Sequence, residues 1–310
     1  MNLMVGYDGG EEGRAALSLA KEYALLTRSD VYVVTSMRGG TSERQSAISK
    51  ADQGLSLAKT ILERSGVPCR TQLLVRNLSP GEDLVRFAEE NQIDHIFLGI
   101  RKKSRAQKTI MGSTSRYVIL ESPCPVHAIK FDVNRIRTTD LLKDRRVLVV
   151  DDEPDIRSTI EDLLHMCLID TASSFEEANR YLQGFHYDIA ILDIMGVRGY
   201  DILQITRKRD IPSLMLTAHA LSPENLKKSI QKGADSYIPK EEMSNLETHV
   251  ADVLKSRIQG GKGYGAWLHT LKAIFDKSFG KDWKDTDREF WKSIEETGGG
   301  HPDPKRNKPD

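Results

Sequence analysis

The chain has 310 residues, enough for two domains of ordinary size and a short extension. Its 45 basic and 45 acidic residues cancel, so charge gives no reason to expect general binding to nucleic acid or to an anionic membrane. No apolar run approaches the roughly 18 residues that span a bilayer, and the first residues lack a signal-peptide core. We therefore expect a cytoplasmic protein without a membrane partner.

Residues 1–130 alternate short apolar runs with amphipathic segments, which is the pattern of parallel strands joined by helices. A polar stretch, 37–53, precedes the second predicted helix. The predicted strands are 3–7, 31–35, 71–76, 93–99 and 126–130, and the predicted helices are 11–26, 54–64, 80–91 and 109–120. The fold class is therefore α/β with a doubly wound parallel sheet.

Two glycines stand out in this first domain. Gly99 ends the fourth strand, and Gly112 opens the last helix together with Ser113 and Thr114. Such a helix start offers unpaired amides, two hydroxyls and the positive end of the helix dipole to a phosphate. The simpler interpretation, that both glycines only serve tight turns, stays open.

These residues resemble the universal stress protein family over residues 1–130. Its nucleotide-binding members carry two glycines separated by two residues, a glycine followed by serine or threonine nine residues later, and an aspartate after the first strand. Asp8, Gly99, Gly112 and Ser113 match that pattern. Lys102 stands where the second glycine belongs, and its side chain either reaches a phosphate or fills the space that the glycine keeps open. The resemblance implies binding of ATP or AMP.

A polar linker is predicted at 131–145, and a second run of strands and helices follows at 146–256. Its helices are predicted around core positions 156–164, at 175–182, 200–208 and 222–232, and in a last helix with core positions 246–254. Its strands are predicted at 146–150, 168–172, 189–192, 214–216 and 236–238. This is a second doubly wound parallel sheet.

Three apolar runs of the second domain each end in polar residues: Asp151 and Asp152, Asp193, and Thr217. Strand ends of a parallel sheet meet at one edge, where ligands gather. Clustered carboxylates repel one another and favour a hard cation such as Mg²⁺. One carboxylate can then attack phosphorus while a lysine neutralises charge. The pocket fits aspartyl phosphorylation.

Residues 146–256 resemble the receiver domain of response regulators, a flavodoxin-like fold. The resemblance implies a Mg²⁺-dependent phosphotransfer and assigns a role to each of six residues. They are Asp151 and Asp152 as the acidic pair, Asp193 as phospho-acceptor, Thr217 and Tyr237 as switch residues, and Lys240 as the phosphate-binding lysine.

The chain departs from the receiver pattern in two places. Gly199 comes two residues sooner after the acceptor than the family's glycine, so the loop that places the Met195 carbonyl near the metal is expected to be shortened. The family's lysine is followed by proline, whereas Pro239 precedes Lys240. His219 is expected to be an exposed neighbour and not a catalytic base.

Residues 257–297 form a predicted helical appendage, and 298–310 lack apolar side chains and are expected to be disordered. All three tryptophans lie in the appendage. It either packs on its own receiver or on a twin subunit of a homodimer, or it docks a dedicated partner. No basic recognition helix of a DNA-binding module is visible.

The leading hypothesis is a two-component response regulator that receives phosphate from a histidine kinase or a phosphotransfer protein. No enzymatic activity is expected beyond self-phosphorylation from a phosphodonor and autodephosphorylation. Two alternatives stay open: a nucleotide-sensing stress protein that is tuned by its receiver, and a phosphohydrolase with an aspartyl nucleophile. Many such hydrolases carry a second acid two residues after the nucleophile, where this chain has Met195.

Overall fold

The computed structural model describes residues 1–38, 45–101, 111–217, 222–260, 272–280 and 282–296. The chain divides into two compact units, Met1–Asp132 and Val133–Asp310. Each unit is built on its own five-stranded sheet, and within each sheet every pair of neighbouring strands is parallel. The predicted fold class, two doubly wound parallel-sheet domains, is confirmed.

In the first unit the strands have the order β3-β2-β1-β4-β5. The strand order reverses between β1 and β4, and the ends of these two strands therefore border the crevice in which such folds bind ligands. The strands are β1 (Asn2–Gly6), β2 (Asp30–Met37), β3 (Cys69–Val75), β4 (His95–Ile100) and β5 (Val126–Lys130). The helices are α1 (Glu11–Thr27), α2 (Gln45–Arg64), α3 (Pro80–Glu90) and α4 (Ser113–Glu121).

The second helix corrects one prediction. The polar stretch 37–53 was expected to precede the helix, yet α2 already begins at Gln45. Its buried residues start only at Leu55, so the first turns form a solvated extension of a helix whose second half packs on the sheet. A solvated extension lacks the apolar periodicity on which a sequence-based prediction depends.

In the second unit the strand order is β10-β9-β8-β6-β7, with the reversal between β6 and β8. The strands are β6 (Arg146–Val150), β7 (Leu168–Ala172), β8 (Ile189–Asp193), β9 (Ser213–Thr217) and β10 (Ser236–Pro239). The helices are α5 (Thr138–Leu142), α6 (Pro154–Leu163), α7 (Phe175–Gly184), α8 (Gly199–Lys208), α9 (Pro223–Lys232) and α10 (Leu246–Ile258).

Part of the segment predicted as a linker is folded. Leu141 and Leu142 on the short helix α5 are buried, and α5 packs against α10 within the second unit. Arg145 fixes its end because its guanidinium donates to the Leu141 carbonyl at 3.0 Å and pairs with Asp188 at 3.3 Å. Because residues 131–145 are mostly polar, the sequence pattern did not predict that these two leucines are buried.

Two further helices, α11 (Lys272–Phe279) and α12 (Arg288–Glu296), follow the second sheet, with a 3₁₀ turn at Trp283–Asp287 between them. The predicted helical appendage is confirmed for this part. The remainder of its predicted stripe, including Trp267, and the predicted disordered tail 298–310 lie outside the described residues. Within the described ranges, no helix is both long enough and apolar enough to cross a membrane.

Candidate functional site

One ammonium group connects the acidic residues at the edge of the second sheet. Lys240 Nζ lies 2.9 Å from Asp151 Oδ2 and 3.2 Å from Asp193 Oδ1. It also lies 2.7 Å from Oε1 of Glu153. Asp151 and Asp193 are both buried, at 1% and 4% exposed, whereas the Glu153 side chain is 59% exposed. The structure therefore brings three of the predicted site residues together and adds a fourth.

The sheet explains why these groups converge. β6 and β8 are neighbours in parallel register, and Asp151 and Asp193 stand at their carboxyl ends. The Glu153 amide donates to Asp151 Oδ1 at 3.0 Å, which turns the chain sharply into α6. Pro154 occupies the first helical position, where its missing N–H costs nothing.

Burial changes the ionisation of Asp193, the predicted acceptor. It raises the pKa of Asp193 to about 6, and repulsion from Asp151 adds to the rise. The nearby Lys240 ammonium and a hydrogen bond from the Met195 amide act in the opposite direction. Burial also lowers the pKa of Lys240, but its carboxylate neighbours outweigh this and raise the pKa overall. Near neutral pH the pocket therefore holds an ionised Asp193 carboxylate beside a protonated lysine.

The loop after Asp193 is held tightly by two glycines. A Cβ at Gly199 would lie 1.9 Å from the Asp193 carbonyl oxygen, so α8 begins closer to the acceptor than a side chain permits. Gly196 has a positive φ of 73°, and a Cβ there would lie 2.4 Å from Asp152 Oδ1. Asp152 thus faces this loop, whereas the Met195 side chain is 61% exposed.

The pocket fits Mg²⁺ through two carboxylates. Asp151 Oδ2 is buried and lies 2.9 Å from the Lys240 ammonium, and a carboxylate oxygen has a further lone pair for a cation. The Met195 carbonyl already accepts the Val197 amide at 2.7 Å, which leaves one lone pair. Among the described residues no three His, Cys, Asp or Glu side chains converge on one point. Mg²⁺ accepts one or two carboxylates plus waters, so Asp151 and Asp193 would hold it. The side chain of Asp152, also a predicted ligand, is exposed and lies against Gly196, and its role stays a prediction.

The two predicted switch residues touch each other. Thr217, at the end of β9, is 1% exposed, and Tyr237 on β10 is fully buried. The Tyr237 hydroxyl hydrogen-bonds the Thr217 side chain and the Ser222 backbone, while burial raises its pKa. A change at Thr217 therefore acts directly on Tyr237. His219 lies outside the described residues.

In the first unit the predicted nucleotide site is partly occupied by the chain itself. Asp8 follows β1, and its Oδ2 lies 2.5 Å from Nη2 of Arg101, which follows β4. Its Oδ1 accepts the Gly10 amide at 2.9 Å. A Cβ at Gly99 would lie 2.4 Å from the backbone carbon of Glu12. Gly99 is therefore needed for close packing of α1 on β4, whatever ligand the crevice takes.

Among the described residues, no side chain caps the start of α4. Gly112 caps the helix without a side-chain hydrogen bond, and a Cβ there would meet nothing within 4 Å. Ser113 is exposed and Thr114 is half-buried. The Ser115 hydroxyl donates to the Gly99 carbonyl at 3.4 Å, which ties this helix start to the end of β4. Lys102 lies outside the described residues.

Sequence reasoning missed two charged residues of these sites. Glu153 follows the acidic pair directly, and the Asp-Asp-Glu run was the available signal for a third carboxylate on the lysine. Arg101 follows the Gly99-Ile100 strand end, as Asp8 follows the end of the neighbouring strand β1. Side chains that follow adjacent parallel strands lie close together, so opposite charges there can pair. This reasoning would have predicted the ion pair between Asp8 and Arg101.

Comparison with known proteins agrees with the division of the chain into two units. Residues 1–130 match the model of the universal stress protein family, and residues 147–251 match the response regulator receiver domain. The probable transcriptional regulator ycf27 of Guillardia theta is 37% identical over 128 residues, which are 39% of this chain and 50% of that protein. Universal stress protein Slr1230 of Synechocystis sp. is 29% identical over 124 residues, which are 40% of each chain. This chain thus spans half or less of both relatives.

Among solved structures, the universal stress protein from Archaeoglobus fulgidus is 37% identical. The match covers 42% of this chain and 96% of that one, with a TM-score of 0.39. The two family models each cover the unit that contains the corresponding candidate site. The chain therefore contains a universal stress protein domain at residues 1–130 and a response regulator receiver domain at residues 147–251.

Proposed function

We propose that this chain is a two-component response regulator that is phosphorylated on Asp193. The observation that carries the proposal is the Lys240 ammonium shared by the Asp151 and Asp193 carboxylates in a buried pocket. A carboxylate whose pKa burial raises is a better nucleophile, and its pKa of about 6 leaves it ionised near neutral pH. A histidine kinase or a phosphotransfer protein is the partner that would supply the phosphoryl group.

The reaction uses groups that are already in place. An Asp193 oxygen forms a bond to phosphorus, and the bond from phosphorus to the donor's nitrogen or oxygen breaks with its electron pair going to the donor. Lys240 balances charge on the transferred oxygens, and the Thr217 hydroxyl can donate to one of them. Bound Mg²⁺, held by Asp151 and Asp193, would supply further neutralisation of phosphoryl charge.

Labelling with acetyl phosphate and Mg²⁺ tests the assignment. The full chain should form one hydroxylamine-sensitive acyl phosphate, which is seen as a shifted band on a phosphate-affinity gel. The Asp193→Asn variant should form none. Asp201→Asn on α8, an exposed carboxylate paired with Arg198, is the matched control and should label like the wild type. Equal labelling of the wild type and Asp193→Asn would exclude Asp193 as the acceptor.

We further propose that the first domain binds ATP or AMP at the crevice between β1 and β4. The start of α4 supports this, because within the described ranges no side chain caps its amides, and Gly112, Ser113, Thr114 and the Gly99 strand end lie there. Asp8 is the candidate nucleotide contact at the end of β1, and its carboxylate already pairs with Arg101. Lys102 is the candidate phosphate contact from the sequence.

Calorimetry on the full chain with ATP and with AMP tests the nucleotide site. Binding that weakens in Ser113→Ala supports it, with Ser122→Ala beyond the far end of α4 as the control. Absence of heat at millimolar nucleotide would exclude the site and would also remove the nucleotide-sensing alternative. The two proposals are independent, because the acyl-phosphate assay does not depend on nucleotide.

A further inference from the structure

The helices that follow the receiver cover one of its faces. We define the tail segment as the described residues 272–280 and 282–296, which carry α11 and α12. The ring of Phe275 lies 6.3 Å from the ring of Tyr237, centroid to centroid, and both side chains are fully buried. Trp283 and Trp291 are also buried, at 3% and 2% exposed. The tail segment therefore covers the switch tyrosine of the same chain.

The tail segment has an apolar interior of its own. Phe275 stacks on Phe279 with ring centroids 5.5 Å apart, and Trp283 meets Trp291 edge-on at 4.7 Å. The Trp283 indole N–H donates to Asp276 Oδ1 at 2.9 Å, which satisfies the indole's single donor. Because Phe275 belongs both to this cluster and to the contact with Tyr237, movement of the tyrosine acts on the whole cluster.

Lys227 on α9 of the receiver contacts the tail segment at two of its residues. Lys227 forms an ion pair with Asp287, and its ammonium lies 5.2 Å from the centre of the Phe290 ring. The next residue, Lys228, instead lies 4.3 Å over the Tyr200 ring on the receiver itself. Two adjacent lysines on one helix thus differ in whether they hold the tail segment.

Tyr237 is connected to the acidic pocket in two ways, through a hydrogen bond and through its own strand. Its hydroxyl bonds the Thr217 side chain, and Tyr237 lies on the four-residue strand β10 that ends directly before Lys240. If Thr217 turns to an oxygen of a phosphorylated Asp193, the Tyr237 hydroxyl loses a partner inside a buried contact. The hydroxyl then keeps only its hydrogen bond to the Ser222 backbone, and loss of a buried hydrogen bond is unfavourable, so we expect the tyrosine to shift and its packing on Phe275 to change.

We infer that the tail segment is an intramolecular cover of the α9–β10 face and that phosphorylation of Asp193 loosens it. The inference rests on the proposed phosphorylation and adds the element that responds to it. Loosening exposes Tyr237, Phe275 and Trp283 together, which creates an aromatic face that the unphosphorylated chain keeps closed. The occupant of this face in the unphosphorylated state is the chain's own tail segment, residues 272–280 and 282–296.

The tryptophans report this change in the full chain, because all three lie between residues 261 and 296. Acetyl phosphate with Mg²⁺ should shift tryptophan emission to the red and raise the acrylamide quenching constant about twofold, as expected when buried indoles enter water. A phosphate-affinity gel on the same samples gives the phosphorylated fraction. Asp193→Asn should show neither effect.

Two matched variants test the cover without phosphorylation. Lys227→Ala should raise quenching in the absence of phosphodonor while it still forms the acyl phosphate, and Lys228→Ala should quench like the wild type. Full phosphorylation with unchanged or reduced quenching would overturn the inference and leave the proposed function intact. Equal quenching in Lys227→Ala and Lys228→Ala would also overturn it. Failure to form an acyl phosphate would overturn both.

Discussion

Replacing Lys240 with methionine should destabilise the second unit by an amount that depends on Asp193. The ammonium nitrogen lies 3.2 Å from Asp193 Oδ1, and the two side chains are only 9% and 5% exposed. Attraction over that distance amounts to about 5 kcal/mol at an effective dielectric constant of about 20. Because Asp151 and Glu153 share the same ammonium, we expect about 2–3 kcal/mol to be specific to this pair.

A double-mutant cycle measures the interaction energy that is specific to the Lys240–Asp193 pair. It compares the wild type, Lys240→Met, Asp193→Asn and the double variant by the free energy of unfolding in urea. At about pH 8 the Asp193 carboxylate is ionised, because burial raises its pKa only to about 6, and EDTA removes divalent cations. All three tryptophans belong to the second unit, so tryptophan emission follows that unit's unfolding.

Lys240→Met should lose about 3–5 kcal/mol, since it leaves like charges buried, and it should lose clearly less when Asp193→Asn is present. The coupling should shrink as the pH falls through about 6, where the native Asp193 carboxylate takes up a proton. Lys208→Met on the exposed end of α8 should change stability by less than about 0.5 kcal/mol. Additivity of the two pocket variants within about 0.5 kcal/mol would refute the shared-charge explanation.

Three further changes give measurable effects. Glu153→Gln frees Lys240 from an exposed competitor and should speed acyl-phosphate formation by up to about fivefold, the equivalent of one exposed ion pair. Gly99→Ala should lower the unfolding free energy of the first unit by about 1–3 kcal/mol, because its Cβ would meet the Glu12 backbone. His249 has its pKa lowered by burial, so stability should fall as the pH drops below about 6.5, and less steeply in His249→Gln.

Each of these has a matched control. Glu241→Gln, an exposed acid next to the lysine, should leave the labelling rate unchanged. Gly54→Ala, inside α2, adds a Cβ that makes only an ordinary 3.6 Å contact with the Tyr7 ring and should not lower the first unit's stability, as followed by hydrogen exchange of β1. His165→Gln removes an exposed histidine and should keep the wild-type pH profile. If a control matched its test variant in effect, the corresponding reasoning would be wrong.

Most of the fold could be predicted because buried parallel strands are continuous apolar runs. Val147 to Val150 and Ile189 to Leu192 are buried throughout, and each run is followed by its aspartate. The prediction failed where burial is partial. The first turns of α2 are solvated and α5 is a five-residue helix with two buried leucines, so neither shows a helical period over a useful length.

The candidate sites could be predicted only as far as residues at strand ends. Strand ends determine which side chains gather, and this rule correctly brought Asp151, Asp193 and Lys240 together. This rule does not determine which other charged side chains contact the site. The ion pairs of Glu153 with Lys240 and of Arg101 with Asp8 were therefore found only in the structure. Long side chains extend several ångströms beyond the backbone positions that a sequence pattern describes.

The reversed order of proline and lysine illustrates how an unusual local sequence can preserve a site. Pro239 is the last residue of β10, an edge strand, where a missing N–H removes no ladder bond on the open side. It pairs in register with Thr217, and a 3₁₀ turn begins at Lys240 immediately after it. The strand end and not the following proline therefore aims the ammonium at Asp193, and the same short strand carries Tyr237 toward the tail segment. The proposed phosphorylation of Asp193 would therefore act, through the adjacent Lys240, on the end of the same four-residue strand that carries Tyr237.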